Sequence, residues 1–342
     1  MKPIGVDPGF GNFKAAAVTE QGVQVAVVPS VVGVGETDLG LLSLGDLGGK
    51  RRGPVPDRVE FGGVAYLVGD GVARYARPVQ RMDLHRLTDG PELRALLYAT
   101  LHRLGLQEAI SLIVGLPVEV MADRERALEV VAGMRRWMVG EHRFAVNGQE
   151  VVLTVEAVRA MAQPAGAFFA WGLDNRGRWA RARGDLQAPV AVCDVGFNTL
   201  DLFAVQGGEV VGRFTGGDTA GVRRAAERLI QSVQARYGVS LTLQEADGYL
   251  RMPEAPLYAA GGRVDIRALV QQALDIAAAE IVSFVEARWG NGRQFGYVLF
   301  TGGGAEMMRE ALLRQYPHGV ILPDPVTANA VGLARYAVRA FK

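Results

Sequence analysis

An α/β fold assembled from two similar halves, each a mixed β-sheet flanked by helices, is what this sequence predicts. Three observations carry the prediction. The segment Val6-Asp7-Pro8-Gly9-Phe10-Gly11-Asn12-Phe13-Lys14 has a counterpart in Cys193-Asp194-Val195-Gly196-Phe197-Asn198-Thr199-Leu200-Asp201. In both, Asp ends a short apolar run, Gly follows two residues on, Phe three on and a charged residue seven on, and apolar sequence then resumes. This pattern encodes a strand-turn-strand hairpin whose glycines allow positive φ or close approach by a ligand. Each half continues with alternating helical and strand patterns. The length of 342 residues exceeds the usual single domain.

After the first hairpin, residues 23–28 are predicted as a third strand. Residues 33–63, rich in Gly and Asp, read as an extended insertion that carries the basic cluster Lys50-Arg51-Arg52. Residues 45–51 superficially resemble a phosphate loop, but the glycine spacing is wrong and Arg51 stands where Ser or Thr is needed, so that reading is rejected. A strand pair is expected over 61–68, a helix over 89–104 with Pro91 near its first turn, and a buried strand over 109–115. An amphipathic helix over 123–139 and a hairpin over 144–155 around Asn147-Gly148 follow. Residues 157–171 read as a helix crossing to the second half, with Gln163-Pro164 in it or at its start. The second half repeats the order, with strands over 190–193, 200–205 and 210–214, a glycine-rich segment over 215–219 and an arginine-rich helix over 220–237. A long helix over 266–289 and a strand over 297–300 come next, the strand running into Thr301-Gly302-Gly303-Gly304 and a helix from Ala305. A helix over 327–340 closes the chain.

Apolar residues at 49% and charged residues at 21% are ordinary for a globular protein with an ample core. A net charge of +1 gives no polyelectrolyte case for nucleic acid or anionic membrane, so no direct contact with either is expected. Only four of the 37 basic residues are lysines, which makes Lys14 an uncommon choice at a motif position. One cysteine excludes an internal disulfide and fits a reducing cytoplasm. The start of the chain shows no signal-peptide pattern, and no apolar run reaches the length of about 18 residues that a membrane span needs. A cytoplasmic protein is expected.

Successive N–H groups in such hairpin turns form an anion-binding concavity, and an Asp at the strand end can hold Mg²⁺ through water. Two copies facing each other would clamp the phosphates of one nucleotide. For a single copy, a hairpin turn and nothing more is the stronger reading; repetition at matched offsets weakens it. Taken alone, Gly302, Gly303 and Gly304 are a tight strand-to-helix turn, and Gln163 is a helix-surface amide or cap. Cys193, inside an apolar strand, reads as a small buried group. His85, His102, His142 and His318 lack metal-ligand spacing and read as structural or surface residues. Both Lys50-Arg51-Arg52 and the set Arg176, Arg178, Arg181 and Arg183 read as solvated loop charge, and the closing helix as one that packs on the first half.

Five segments, in order over nearly the whole chain, resemble the actin, sugar-kinase and heat-shock-chaperone ATPase superfamily. Residues 7–14 look like its first phosphate loop, 194–201 like its second and Thr301-Gly302-Gly303-Gly304-Ala305-Glu306 like its adenosine loop, while 157–167 and 328–336 resemble its two connecting helices. Within the superfamily the chain looks most like the plasmid-segregating filament proteins of the ParM type and their archaeal relatives. Gly-Gly-Gly-Ala-Glu after an apolar strand, the Asp-x-Gly-x-x-Thr-x-Asp pattern and the compact length point there. This resemblance implies duplicated ribonuclease-H-like domains around a nucleotide cleft. Residues 1–160 with 325–342 would be the first, carrying a small subdomain at about 33–85, and 161–324 the second, with one at about 217–265.

The resemblance also implies roles. Asp7 would bind Mg²⁺ through water, and Gly9, Gly11, Asn12 and Lys14 would contact phosphate oxygens. Asp194 would orient the metal's water shell and the attacking water, with Gly196, Asn198 and Thr199 holding phosphates from the opposite side. Gly302, Gly303 and Gly304 would admit the ribose and α-phosphate, and the following helix N-terminus would add a favourable dipole. Gln163 would position water, since an amide is no base near pH 7. Arg223, Arg224 and Glu227 fall on the helix that closes over the purine and ribose in relatives. Phe10 and Phe197 depart from the small or hydroxyl residues usual at those positions. The implied activity is hydrolysis of ATP or GTP with Mg²⁺, coupled to self-assembly into a filament. Its partners would be further copies of the chain and a DNA-binding adaptor, for plasmid segregation or cytoskeletal positioning. Two alternatives stay open: a non-polymerising scaffold ATPase of the PilM or FtsA kind, and a small-molecule kinase of the same superfamily.

Overall fold

The computed structural model describes residues 1–35, 54–79, 90–106, 108–219 and 221–342. The basic cluster at 50–52, the rejected loop at 45–51 and His85 lie outside the described residues. The first half contains β1 (Lys2–Pro8), β2 (Asn12–Thr19), β3 (Gly22–Pro29), β4 (Val32–Val34), β5 (Asp57–Phe61), β6 (Val64–Val68), α1 (Val72–Tyr75) and α2 (Pro91–Arg103). It continues with β7 (Ile110–Leu116), α3 (Val118–Ala122), α4 (Arg124–Met138), β8 (Gly140–Val146) and β9 (Gln149–Ala162). Then follow α5 (Gln163–Gly172), α6 (Arg183–Gln187), β10 (Val190–Val195), β11 (Leu200–Gln206), β12 (Glu209–Val210), β13 (Gly216–Asp218), α7 (Arg223–Tyr237) and α8 (Leu243–Arg251). The chain ends through β14 (Leu257–Ala259), β15 (Gly262–Val264), α9 (Arg267–Trp289), β16 (Tyr297–Thr301), α10 (Gly303–Met307), α11 (Arg309–Gln315), β17 (Gly319–Ile321) and α12 (Ala328–Ala340).

Two sheets repeat one plan. In the first, β3, β2 and β1 run antiparallel and β1 then pairs parallel with β7 and β7 with β9; β8, β5, β6 and β4 extend that sheet. In the second, β12, β11 and β10 are antiparallel and β10 pairs parallel with β16 and β16 with β17. The central strands are buried along their length, as parallel strands covered on both faces must be. Between the sheets lie α5, packed on β10, β11 and β16, and α12, packed on β1, β2 and β7. These helices cross at glycines: a Cβ on Gly332 would fall 1.7 Å from the Gly166 carbonyl oxygen, so only hydrogen fits there.

Two predicted elements are corrected. Residues 157–162, read as helix, are strand: β9 pairs with β7 as far as Leu116 opposite Ala162, and α5 starts only at Gln163. Pro164 explains the boundary, since it is tolerated in the first turn, where no N–H is needed, but could not stand inside a helix begun at residue 157, where it would lose a hydrogen bond and clash with the carbonyl four residues back. The strand expected over 210–214 is mostly a 3₁₀ turn (Gly212–Phe214). Thr215 Oγ1 accepts from the Ala204 N–H and donates to the Val211 carbonyl, replacing ladder bonds, and β13 resumes the pairing with β11. The strand pair expected over 61–68 begins at Asp57, and the hairpin expected over 144–155 runs from Gly140 to Ala162; Asp123 caps α4 by accepting from the Arg126 N–H. Among the described residues α9 is long and apolar enough to cross a membrane by length and composition; here Val270, Ala277, Ile281 and Val285 are buried in the second core.

Candidate nucleotide site

The two hairpin turns face each other across the gap between the sheets. β1 delivers Asp7 at its C-terminal end, opposite Lys14 on β2, and both are buried. Lys14 Nζ stands 2.6 Å from Asp7 Oδ2, out of hydrogen-bond alignment. Gln163 Nε2, from the first turn of α5, donates to Asp7 Oδ1 at 2.6 Å. In the second half β10 delivers Asp194, which lies opposite Asp201 on β11 and Thr301 on β16. Asn329 Nδ2, from the first turn of α12, donates to Asp194 Oδ2 at 2.6 Å. Asp201 accepts from the Val118 N–H at the start of α3 and from the Thr199 hydroxyl.

Burial governs the charge states. Asp194 is pushed up to about 7, by loss of solvent first and then by the neighbouring charges of Asp7 and Asp201, against the opposing pull of Lys14 and the Asn329 amide. Asp201 is raised to about 6 by burial, offset by the N–H of Val118 and by Thr199. The Cys193 thiol, fully buried beside these carboxylates, is pushed well up and is a packing group, as its strand position implies. His142, between the Tyr98 hydroxyl and the Met138 carbonyl, is likewise structural.

Gly302 has φ of +86°, and a Cβ there would meet Asp194 Oδ1 and the Val195 carbonyl, each at 2.4 Å; only glycine allows this backbone to approach the carboxylate. The cleft is lined by Gly9, Gly11, Asn12 and Lys14 from one side and by Gln163, Asp194, Gly196, Asn198, Thr199, Gly302 and Gly303 from the other. Gly304 sits behind it, close-packed on Val195 and Val222. Arg224 and Glu227 stand outside the lining. Arg224 faces Glu280 at 3.6 Å and Asp218 at 3.9 Å, and Glu227 pairs with Arg223. From that helix it is Arg223 that reaches the turn, donating to Asn198 Oδ1 at 3.2 Å.

Three lining or supporting residues escaped the sequence reading. Arg251 and Val326 come from segments with no local motif. Asn329 had a signal: it opens the helix that mirrors the one opened by Gln163. Phe10 and Phe197 also line the cleft, and the space enclosed is about 40 Å³, far below the roughly 300–1,000 Å³ typical of small-ligand pockets. A ligand of nucleotide size would enter only if the two turns separated.

The fold and this paired-carboxylate site define a class, and comparison with known proteins agrees. Residues 5–166 match the family model for the N-terminal domain of actin-like proteins, and residues 192–314 match that for the C-terminal domain of archaeal MreB-like actin homologues. The chain belongs to the actin-like proteins. Its fold is similar to that of the archaeal actin homologue Ta0583, at 19% identity over 99% of this chain and 100% of that one, with a TM-score of 0.76. It is also similar to ParM in a 15-stranded filament from Clostridium botulinum, at 18% identity, 99% of each chain and a TM-score of 0.75. Bacillus thuringiensis ParM with ATP matches at 15% identity over 100% of this chain and 98% of that one, with a TM-score of 0.66. No curated protein matches the chain.

Proposed function

We propose that this protein is a cytoplasmic nucleotide-dependent filament protein that binds and hydrolyses ATP or GTP with Mg²⁺ between its two halves. One observation carries the reading: Asp194 lines a glycine-lined cleft and Asp7 stands behind its wall, covered by the lining residues Lys14 and Gln163, with each carboxylate held by an amide from a connecting helix. Support comes from the similar folds of an archaeal actin homologue in complex with ADP and of the C. botulinum ParM filament.

The residues fit a magnesium nucleotide. Buried carboxylate oxygens suit a hard cation, and Asp7 Oδ2 has no aligned hydrogen-bond donor. Among the described residues no group of three or more His, Cys, Asp or Glu is arranged to hold a metal. Magnesium would accordingly be held through water by Asp7 and Asp194 and by the phosphates, and it would supply neutralisation of phosphate charge. Lys14, now paired with Asp7, is the cation that would turn to phosphate. N–H groups of the turns at Gly9, Gly11, Asn12, Gly196, Asn198 and Thr199 would take phosphate oxygens. Gly302 and Gly303, with Gly304 packed behind them, would admit the ribose. Gln163, donating to Asp7, keeps its carbonyl oxygen to orient a water. Asp194 would orient the metal's water shell and the attacking water. Arg223, which donates to Asn198 Oδ1, would be the side chain of α7 to meet the base or ribose, rather than Arg224.

The division expected at 160/161 falls inside β9, so the halves would instead divide at 162/163, with 325–342 returning to the first, since α12 packs on β1, β2 and β7. Cargo would be DNA reached through an adaptor. Sedimentation or light scattering with Mg-ATP, Mg-GTP or neither, paired with phosphate release, tests the reading. Assembly should depend on nucleotide, and none under any condition would sink the filament. Asp194→Ala should cut phosphate release at least tenfold while changing nucleotide affinity far less; unchanged release would remove Asp194 from the chemistry.

A further inference from the structure

The amide of Asn329 does two things at once. Its Nδ2 donates to Asp194 Oδ2 at 2.6 Å, and its Oδ1 accepts from the Ala167 N–H in α5 at 3.1 Å. The residue is 3% exposed, and α5 presses on its main chain: a Cβ on Gly166 would lie 2.4 Å from the Asn329 carbonyl oxygen. Only a side chain with donor and acceptor on one short stem can serve both partners in so confined a place. Asp lacks the donor, and an aliphatic residue would leave both Asp194 and Ala167 without their bond.

The arrangement is one member of a crossed pair. α12 rests on the first sheet, yet its Asn329 holds the carboxylate of the second half. α5 rests chiefly on strands of the second sheet, while its start also meets β7 and β9 of the first, where Gln163 holds Asp7. α12 thus packs on the first half and grips the hairpin Asp of the second, while α5 spans both and grips that of the first, and the two helices touch at Gly166 and Gly332. Rotating the halves about that crossing must move one end of each amide-carboxylate bond relative to the other.

We infer that Asn329 is a positioning residue that ties the orientation of Asp194 to the crossing of α5 and α12, so that opening and closing of the cleft are read directly at the carboxylate. The inference rests on the reading of Asp194 as a residue of the nucleotide site. Its test is a double-mutant cycle on the full chain with two readouts: calorimetric affinity for Mg-ADP and single-turnover phosphate release from Mg-ATP. Asn329→Ala should slow release about 10–100-fold, the usual loss when the partner orienting a site residue is removed, with Mg-ADP affinity within about threefold. In an Asp194→Ala background the same change should slow release less than twofold, because Asn329 then has nothing to orient. Asn329→Leu fills the same space with neither donor nor acceptor; it should be as slow as Asn329→Ala while retaining more of the wild-type melting temperature. Equal losses in both backgrounds would show a general structural role and overturn the inference, as would a folded Asn329→Leu variant that releases phosphate at the wild-type rate. If the wild-type protein itself binds no nucleotide, the site reading fails and takes this inference with it. Wild-type binding and hydrolysis that Asn329→Ala leaves intact would overturn the inference alone.

Discussion

Asp194 and Asp201 face one another on adjacent strands with almost no exposure, and their proton affinities follow from that placement. In the unfolded chain Asp194 titrates near 3.8, whereas in the fold it sits at about 7. Between these values the folded state binds more protons, so the contribution to stability is complete below the unfolded value and is lost as pH rises through the folded one. Without nucleotide and metal, the melting temperature should therefore fall between pH 5 and pH 8, the reverse of ordinary acid denaturation. Asp194→Asn should flatten the profile, and the difference should reach on the order of a few kcal/mol, since each tenfold gain in proton affinity is worth about 1.4 kcal/mol. Coincident profiles for the two proteins would refute the raised value. At this scale the hairpin offsets were legible because the pattern repeats: Asp7 and Asp194 occupy the same offset, and the structure places Asp194 in the lining of the cleft and Asp7 behind Lys14 and Gln163. Arg251 was not legible, because its approach to Gly303 is set by how α8 packs, not by anything beside it in sequence. Arg224 and Arg223 illustrate the limit of helix register: adjacent in sequence, they point to Glu280 and to Asn198 respectively.

At the scale of elements, the crossing of α5 and α12 is the tightest contact. Gly332→Ala would place a methyl 1.7 Å from the Gly166 carbonyl oxygen, where backbone must move. Overpacking of this kind costs about 1–3 kcal/mol or more, and denaturant unfolding should show it. Gly184→Ala in α6 provides the contrast, since nothing lies within 4 Å of its added Cβ, and helix propensity should leave stability unchanged or raised by up to about 1 kcal/mol. Equal effects of the two substitutions would argue against a close crossing. The start of α5 shows why element boundaries were only partly legible. Residues 157–162 carry no pattern that separates strand from helix, and pairing with β7 decides between them. Pro164 was the local signal, correctly placed at the start of the helix though the strand before it was missed.

At the scale of the molecule, the cleft is closed. The Cβ of Phe197 lies 3.1 Å from where a Cβ on Gly11 would be, close to the roughly 3.5–4.5 Å between Cβ atoms in a disulfide. Gly11→Cys with Phe197→Cys should therefore cross-link the turns on oxidation, the native Cys193 being fully buried and out of reach. Oxidised protein should lose nucleotide binding and the reduced form of the same variant should regain it. Binding that is indifferent to oxidation would mean that entry does not require the turns to part. Duplication, the order of strands and the hairpin carboxylates were determined by sequence alone, because hydrophobic period, turn glycines and repeated offsets are local properties. Tertiary structure alone decided that Gln163 and Asn329 hold Asp7 and Asp194, that Arg223 and not Arg224 meets the turn, and that the cleft is narrow. Each of these depends on segments far apart in the chain meeting at fixed distances, or on the rotation of a helix about its axis, and neither is written in any single stretch of residues.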